Sequence, residues 1–157
     1  RPFLKTSKRL DSVAELFLFA SARAQLVTEV IAPALERNET VICDRFAQST
    51  IAYQGGGRRL NMEFVNRVNH QATTGIEPDI VVLLDQAVEV GLKRKEKVLD
   101  TFEMEDMGFH QRVRESYLTQ ASENPEKWLV LDATKSQVSL SKEISDKITS
   151  NLKGGRG

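Results

Sequence analysis

Residue types that support disulfide-bonded or metal-bound folds are scarce in this chain of 157 residues. Its single cysteine, Cys43, excludes an internal disulfide, and two histidines without a cysteine cluster exclude ordinary zinc spacing. The 22 basic residues are balanced by 22 acidic residues, so no sequence-wide positive charge favours nucleic acid. We see no apolar run of membrane-spanning length. These absences favour a cytoplasmic protein with neither nucleic acid nor membrane as partner.

Three short apolar runs predict buried parallel strands, because each is apolar nearly throughout and leads into an aspartate. They occupy residues 40–43, 80–84 and 128–131, before Asp44, Asp85 and Asp132. Since Cys43 lies in the first run, we expect it to be a small core residue.

Helical patterns separate these runs, and strands that alternate with helices predict an α/β fold with a parallel sheet. We expect helices at about 12–36, 62–73, from 88 onward, at 105–123 and at 140–152. Pro33 should kink or restart the first helix, and Asn61 should cap the second. Residues 153–157 are expected to form a flexible tail.

The front of this pattern is incomplete for a doubly wound domain, which normally begins with a strand. Here the first residues lead directly into a helix, and the phosphate-binding pattern G-x-x-x-x-G-K-[ST] occurs nowhere in the sequence. We therefore expect residues 1–157 to form one domain that is incomplete at its N-terminal side.

Asp44 and Arg45 follow the first expected strand, at the end of the sheet where open α/β folds bind ligands. A carboxylate can hold Mg²⁺, and a guanidinium can bind a phosphate through two hydrogen bonds. The pair therefore indicates phosphate chemistry. A plain salt bridge at a strand end is the alternative.

Short polar side chains suited to a nucleobase and a sugar come next, at Ser49, Thr50, Tyr53 and Gln54. An ordinary helix surface would also explain them. The three glycines at 55–57 should end this helix in left-handed backbone conformations, which places Arg58 beside the pocket.

Phe19 and Arg23 are four residues apart and share one face of the first helix. A ring can stack on a base while a guanidinium bonds the edge of that base, but a core Phe beside a surface Arg is the simpler interpretation.

Farther along, basic residues at 93–97 precede acidic residues at 103–106. They predict a solvated loop or a lid over phosphates at 93–106.

In combination these segments resemble bacterial thymidylate kinase. The resemblance rests on the run at 15–25, Asp-Arg-Phe at 44–46, the segment at 49–58, Pro-Asp at 78–79 and Leu-Leu-Asp at 83–85. It implies a three-layer P-loop kinase-type fold with a parallel sheet flanked by helices, whose first strand and P-loop are absent from this sequence. It also implies phosphorylation of dTMP to dTDP with ATP and Mg²⁺.

The resemblance implies a role for each candidate residue. Phe19 would stack on thymine and Arg23 would bond its carbonyl edge. Arg45 would hold the acceptor phosphate, while Asp44 would help to position Mg²⁺. Further substrate contacts would come from Ser49, Thr50, Tyr53, Gln54 and Arg58, with Tyr53 under the deoxyribose. Asp132 and Ala133 would lie near the adenine of ATP.

The chain departs from the family pattern in two places. Because the first strand and the P-loop are missing, we expect residues 1–157 alone to be inactive. In the lid, Thr101 stands where the family has an arginine, so Arg94 is the nearest candidate for the catalytic lid arginine. The family also implies a homodimer, here through the apolar helix face around Phe17, Val27 and Ile31.

Two other functions remain open at this point. One is phosphorylation of another deoxynucleoside or nucleotide. The other is a non-catalytic nucleotide-binding or assembly module that lacks a P-loop.

Overall fold

The computed structural model describes residues 10–93 and 105–154. Within them the chain alternates helices with two strands. In order, these are α1 (Ser12–Leu26), a first π-helix (Val27–Ile31), α2 (Ala32–Glu36), α3 (Ala47–Thr50), a second π-helix (Ile51–Gly57), α4 (Met62–Thr73), β1 (Val81–Asp85), α5 (Val88–Lys93), α6 (Met107–Glu123), β2 (Trp128–Asp132) and α7 (Gln137–Gly154).

Strands β1 and β2 pair in parallel, with Val81 opposite Trp128 and Asp85 opposite Asp132. Both strands were expected from the sequence, and each is confirmed to within one residue. The register places both aspartates at the same carboxyl-terminal edge of the sheet.

The expected strand at 40–43 is wrong, since these residues adopt no regular structure. A strand forms only when a neighbour completes its hydrogen bonds. Among the described residues, the sheet consists of β1 and β2 alone. Ile42 is consequently 92% exposed. Cys43 is exposed as well, so the expectation that it belongs to the core is also wrong.

Within the described part of the chain, the sheet is not fully covered on both faces, although buried strands were expected. Val82, Leu84 and Val130 remain exposed, whereas Trp128 and Leu131 are buried. Helices α6 and α7 contact β2. Trp128 and Leu131 are three residues apart and lie on opposite faces of the strand, so each face of β2 is covered only in part.

The first long helix is confirmed, with a local change of geometry before its proline. Residues Val27–Ile31 are π-helical, and the Ala32 N–H donates to the Val27 carbonyl. Pro33 has no N–H to continue an α-helical ladder, and the wider turn before it accommodates that missing donor.

The same helical run, Ser12–Glu36, has the length and composition of a membrane span, with a mean hydropathy of 1.2 over 18 residues. This corrects the expectation that no such segment exists. Core helices of soluble proteins meet the same criterion, and this run carries Glu15 and Arg23, which both bond to the rest of the domain.

On this helix Val27 and Ile31 are buried and Phe17 is exposed, so the expected dimer face is partly core.

The glycines at 55–57 lie within the second π-helix, so left-handed conformations at these positions were wrongly expected. Gly55 packs against Met62 of α4, whereas Gly56 and Gly57 pack closely against α6. A Cβ on Gly56 would lie 2.6 Å from Ser116 Cβ, and one on Gly57 would lie 2.5 Å from the Phe109 ring. Arg59, with φ 58°, takes the left-handed conformation after the helix.

Helix α4 confirms its expected cap, because the Asn61 side chain accepts from the Phe64 N–H at 2.9 Å. The helix ends at Thr73, followed by left-handed Thr74 and Gly75. Helix α6 likewise begins after a capping residue, Asp106.

Two expectations fall largely on the parts of the chain that the structure does not describe. The candidate lid at 93–106 includes residues 94–104, and Arg94 is among them. The expected tail at 153–157 lies outside from residue 155 onward, whereas Gly154 closes α7.

Candidate active site

The centre of the candidate site is Arg23, a buried arginine on α1. Its Nη1 donates to Asn69 Oδ1 at 2.8 Å, and its Nη2 donates to Thr50 Oγ1 at 2.7 Å. A third bond of 3.1 Å joins Nη2 to the Phe46 carbonyl, and the guanidinium lies 5.7 Å from the centre of the Phe46 ring. The arginine therefore connects α1 with α3 and α4. It is not the surface residue of the simpler interpretation.

Burial lowers the pKa of Arg23, because desolvation disfavours its charged form. An arginine nevertheless keeps its proton in proteins. A desolvated guanidinium with fixed neighbours is suited to donate hydrogen bonds to a ligand carbonyl or phosphate.

Arg45 lies near this network through its neighbour Phe46. It has a left-handed backbone, with φ 67°. Its guanidinium lies 5.1 Å from the centre of the Tyr53 ring, and Nη2 donates to Tyr53 Oη at 3.3 Å. The side chain is exposed, so this cation can reach a ligand while the tyrosine supports it.

Ser49 of α3 and Tyr53 of the second π-helix both contact Tyr117 of α6. The hydroxyls of Ser49 and Tyr117 are 2.7 Å apart, and the rings of Tyr53 and Tyr117 meet edge to face at 6.4 Å. Burial raises the pKa of Tyr117, although its hydrogen bond with Ser49 acts in the opposite direction. Tyr117 is therefore a neutral hydroxyl at physiological pH.

Gln54 and Arg58 belong to a second buried network, centred on Glu15. The Gln54 amide donates to Glu15 Oε1 at 2.7 Å, and Arg58 Nε donates to the same oxygen at 3.2 Å. Arg58 Nη1 also donates to Glu105 Oε1 at 2.6 Å, and its guanidinium lies 4.7 Å from the centre of the Phe109 ring. Desolvation lowers the pKa of Arg58, but its bonds with the two carboxylates outweigh this, so the net pKa is raised.

The two remaining acceptor-site candidates lie near the edges of these networks. Phe19 is half-buried on α1, one helical turn before Arg23. Asp44 is exposed next to Arg45, in the segment between α2 and α3. The structure thus brings Arg23, Thr50 and Phe46 into direct contact, and joins Arg45 to Tyr53 in a separate pair.

The adenine-side candidates lie at the carboxyl end of the sheet. Asp132 Oδ1 accepts from the Thr134 N–H at 2.8 Å and from its hydroxyl at 2.7 Å, and these bonds lower the pKa of Asp132. The Ala133 N–H donates to the Asp85 carbonyl at 2.8 Å. Arg114 of α6 holds the Asp85 carboxylate through two bonds of 2.7 and 2.8 Å.

Several residues of the candidate site were assigned no individual role from the sequence, although Glu15 and Phe46 lie within the motifs that carry the resemblance. They are Glu15, Phe46, Asn69, Glu105, Arg114 and Tyr117. A signal for Asn69 did exist, since Val65, Asn69, Ala72 and Thr73 follow helical spacing and Asn69 therefore lies on the apolar face. A polar residue at such a position requires a partner in the interior.

Comparison with known proteins gives the family. The model of the thymidylate kinase family matches residues 1–144. The thymidylate kinase of Trichlorobacter lovleyi is 42% identical over 151 residues, which cover 91% of this chain and 71% of that protein. The thymidylate kinase of Citrifermentans bemidjiense is 48% identical over 133 residues, covering 80% of this chain and 59% of that one.

A solved structure agrees with these matches. The crystal structure of thymidylate kinase from Ehrlichia chaffeensis is 31% identical, with a TM-score of 0.67 over 83% of this chain and 64% of that chain. The chain therefore spans about two thirds of the length of these proteins. The comparisons confirm the family and the α/β fold expected from the sequence. This chain belongs to the thymidylate kinase family.

Proposed function

We propose that this protein transfers the γ-phosphoryl group of ATP to dTMP and so forms dTDP. The observation that carries the proposal is the buried guanidinium of Arg23, fixed by Asn69, Thr50 and Phe46, together with exposed Arg45, which directly precedes Phe46 in the chain. One fixed donor for a base and one accessible cation for a phosphate are what an acceptor nucleotide requires. The family supplies the identity of that nucleotide.

At the base end of the site, Phe19 stacks on thymine and Arg23 donates to a carbonyl on its edge. Ser49 and Thr50 line the same pocket from α3. Gln54 and Arg58 are bonded to Glu15 in the interior, so we assign them to the support of the pocket wall. Direct contact of either with the substrate stays a prediction.

At the phosphate end, Arg45 binds the acceptor phosphate and Tyr53 lies under the sugar. In phosphoryl transfer the protein contributes positioning and neutralisation of charge, and Mg²⁺ supplies further neutralisation when it is bound. Among the described residues no group of three or more metal-ligating side chains occurs. Exposed Asp44 fits a magnesium ion that takes its other ligands from phosphates and water.

The ATP side of the proposal has less support in this chain. Asp132 and Ala133 lie at the sheet edge where adenine would bind. The lid role of Arg94 stays a prediction, because that residue is outside the described part.

The proposal includes a cytoplasmic homodimer. Its support is that the first helical run exposes several large apolar side chains, namely Phe17, Leu18, Leu26 and Val30. Light scattering at micromolar concentration should give twice the monomer mass. A monomer would remove the dimer without affecting the proposed chemistry.

The experiment is a coupled assay of ADP release, with the full-length protein, ATP, Mg²⁺ and a panel of nucleoside monophosphates. We expect dTMP to be the preferred acceptor. Preference for another nucleotide would favour the related kinase activity, and dTMP binding without ADP release would favour the non-catalytic module.

A further inference from the structure

Asn69 holds Arg23 in the interior. It was not among the candidate site residues predicted from the sequence. Its side chain is 5% exposed on α4, yet both ends of the amide have partners. Oδ1 accepts from Arg23 Nη1 at 2.8 Å, and Nδ2 donates to the Ala47 carbonyl at 3.1 Å. The two bonds together determine the orientation of the amide.

The hydrogen bonds of Arg23 within the described part of the chain use only some of its N–H donors. A guanidinium carries five N–H donors. Nη1 uses one on Asn69, and Nη2 uses both of its own on Thr50 and the Phe46 carbonyl. For the Nε–H and the second N–H of Nη1, the hydrogen bonds of the described residues show no acceptor. These two N–H groups are not adjacent, because the Nε–H lies on the Nη2 edge of the guanidinium, so each can donate separately to a ligand acceptor.

We propose that Asn69 is a positioning residue that sets the selectivity of the site for a base with a carbonyl at the edge facing Arg23. This inference rests on the proposed function. Arg23 can only donate, so a carbonyl satisfies it and an exocyclic amino group does not. Asn69 fixes which donors remain, and selectivity for a thymine-type over a cytosine-type base therefore depends on it.

The test compares kcat/KM for dTMP and dCMP in the full-length protein carrying Asn69→Leu, which removes both amide bonds at similar volume. The preference for dTMP over dCMP should fall roughly tenfold or more, as a hydrogen bond to a charged group implies. The KM for ATP should stay unchanged. Asn66→Leu, at an exposed position on the same helix, is the matched control and should keep the wild-type preference.

A second variant separates positioning from packing. Asn69→Asp keeps an acceptor for Arg23 but places a carboxylate against the Ala47 carbonyl, so it should lower the melting temperature and yet retain most of the preference. Asn69→Ser, too short to reach Arg23, should lose the preference and replaces Asn69→Leu if that variant does not fold.

Two results would overturn the proposal while leaving the proposed function intact. One is an unchanged preference in Asn69→Leu or Asn69→Ser. The other is a loss in Asn69→Asp as large as that in Asn69→Leu, which would indicate a packing role alone. An inactive wild-type protein would instead remove the proposed function, and this inference with it.

Discussion

Arg58 Nη2 lies 3.1 Å from Glu15 Oε2, and the two side chains are only 4% and 3% exposed. The same guanidinium reaches Glu105 Oε1 at 2.6 Å. One buried cation thus connects α1, the end of the second π-helix and the residue just before the Asp106 cap of α6. These contacts make Arg58 a structural centre of the domain.

Replacement of Arg58 by methionine should lower the free energy of unfolding by about 3–5 kcal/mol, because it leaves buried Glu15 without its cation. Urea unfolding followed by circular dichroism measures this. Arg59→Met is the control, since Arg59 is adjacent and exposed. Equal stability of the two variants would contradict a structural role for the buried cation.

Gly56→Ala should destabilise the protein by about 1–3 kcal/mol, because the new methyl group overlaps Ser116 Cβ at 2.6 Å and the Arg112 carbonyl at 3.1 Å. Thermal unfolding gives the comparison. Gly91→Ala in α5 is the matched control, since its nearest neighbour is the flexible end of Gln86. The loss caused by Gly56→Ala should be smaller in a Ser116→Gly background than in the wild type, where Ser116→Gly alone corrects for the cost of a glycine inside α6. An equal loss in both backgrounds would argue against overlap with Ser116 as its cause.

Loss of the α4 cap in Asn61→Ala should cost about 1 kcal/mol, since the Phe64 N–H loses its acceptor. Chemical denaturation is the appropriate measurement. Asn66→Ala lies on the exposed side of the same helix and should be neutral or slightly stabilising. The cap explanation fails if both variants lose the same amount.

The thiol of Cys43 should react slowly for an exposed cysteine. Neighbouring atoms desolvate it and raise its pKa, although the charge of Arg23 partly offsets this. The thiolate is the reactive form, so a raised pKa reduces reactivity at neutral pH. The rate of alkylation by iodoacetamide should therefore rise at a higher pH than for the uncharged reference thiol N-acetylcysteine amide. An inflection at or below that of the reference thiol would contradict this.

Local sequence signals predicted the elements whose determinants are local. Strands β1 and β2 were found within one residue because their apolar runs are short and uninterrupted. Helix α4 was found with its cap because Asn61 lies directly before the apolar periodicity. Arg23 and Arg45 were identified as candidates through the motifs around them.

The contacts that fix these residues could not be predicted, because they join distant parts of the chain. Asn69 is 46 residues from Arg23, and Glu15 is 43 residues from Arg58. The strand at 40–43 failed for a related reason, since its apolar pattern does not show which strand would pair with it. The expectation for the glycines at 55–57 was wrong because only the positions of α4 and α6 reveal the close approaches.

The most direct test of the proposed activity is transfer of radiolabelled γ-phosphate from ATP to dTMP by the full-length protein in the presence of Mg²⁺. We predict labelled dTDP, formed at a rate that falls strongly when Arg23 is replaced by glutamine. Absence of labelled dTDP from a folded protein that binds ATP would contradict the central claim.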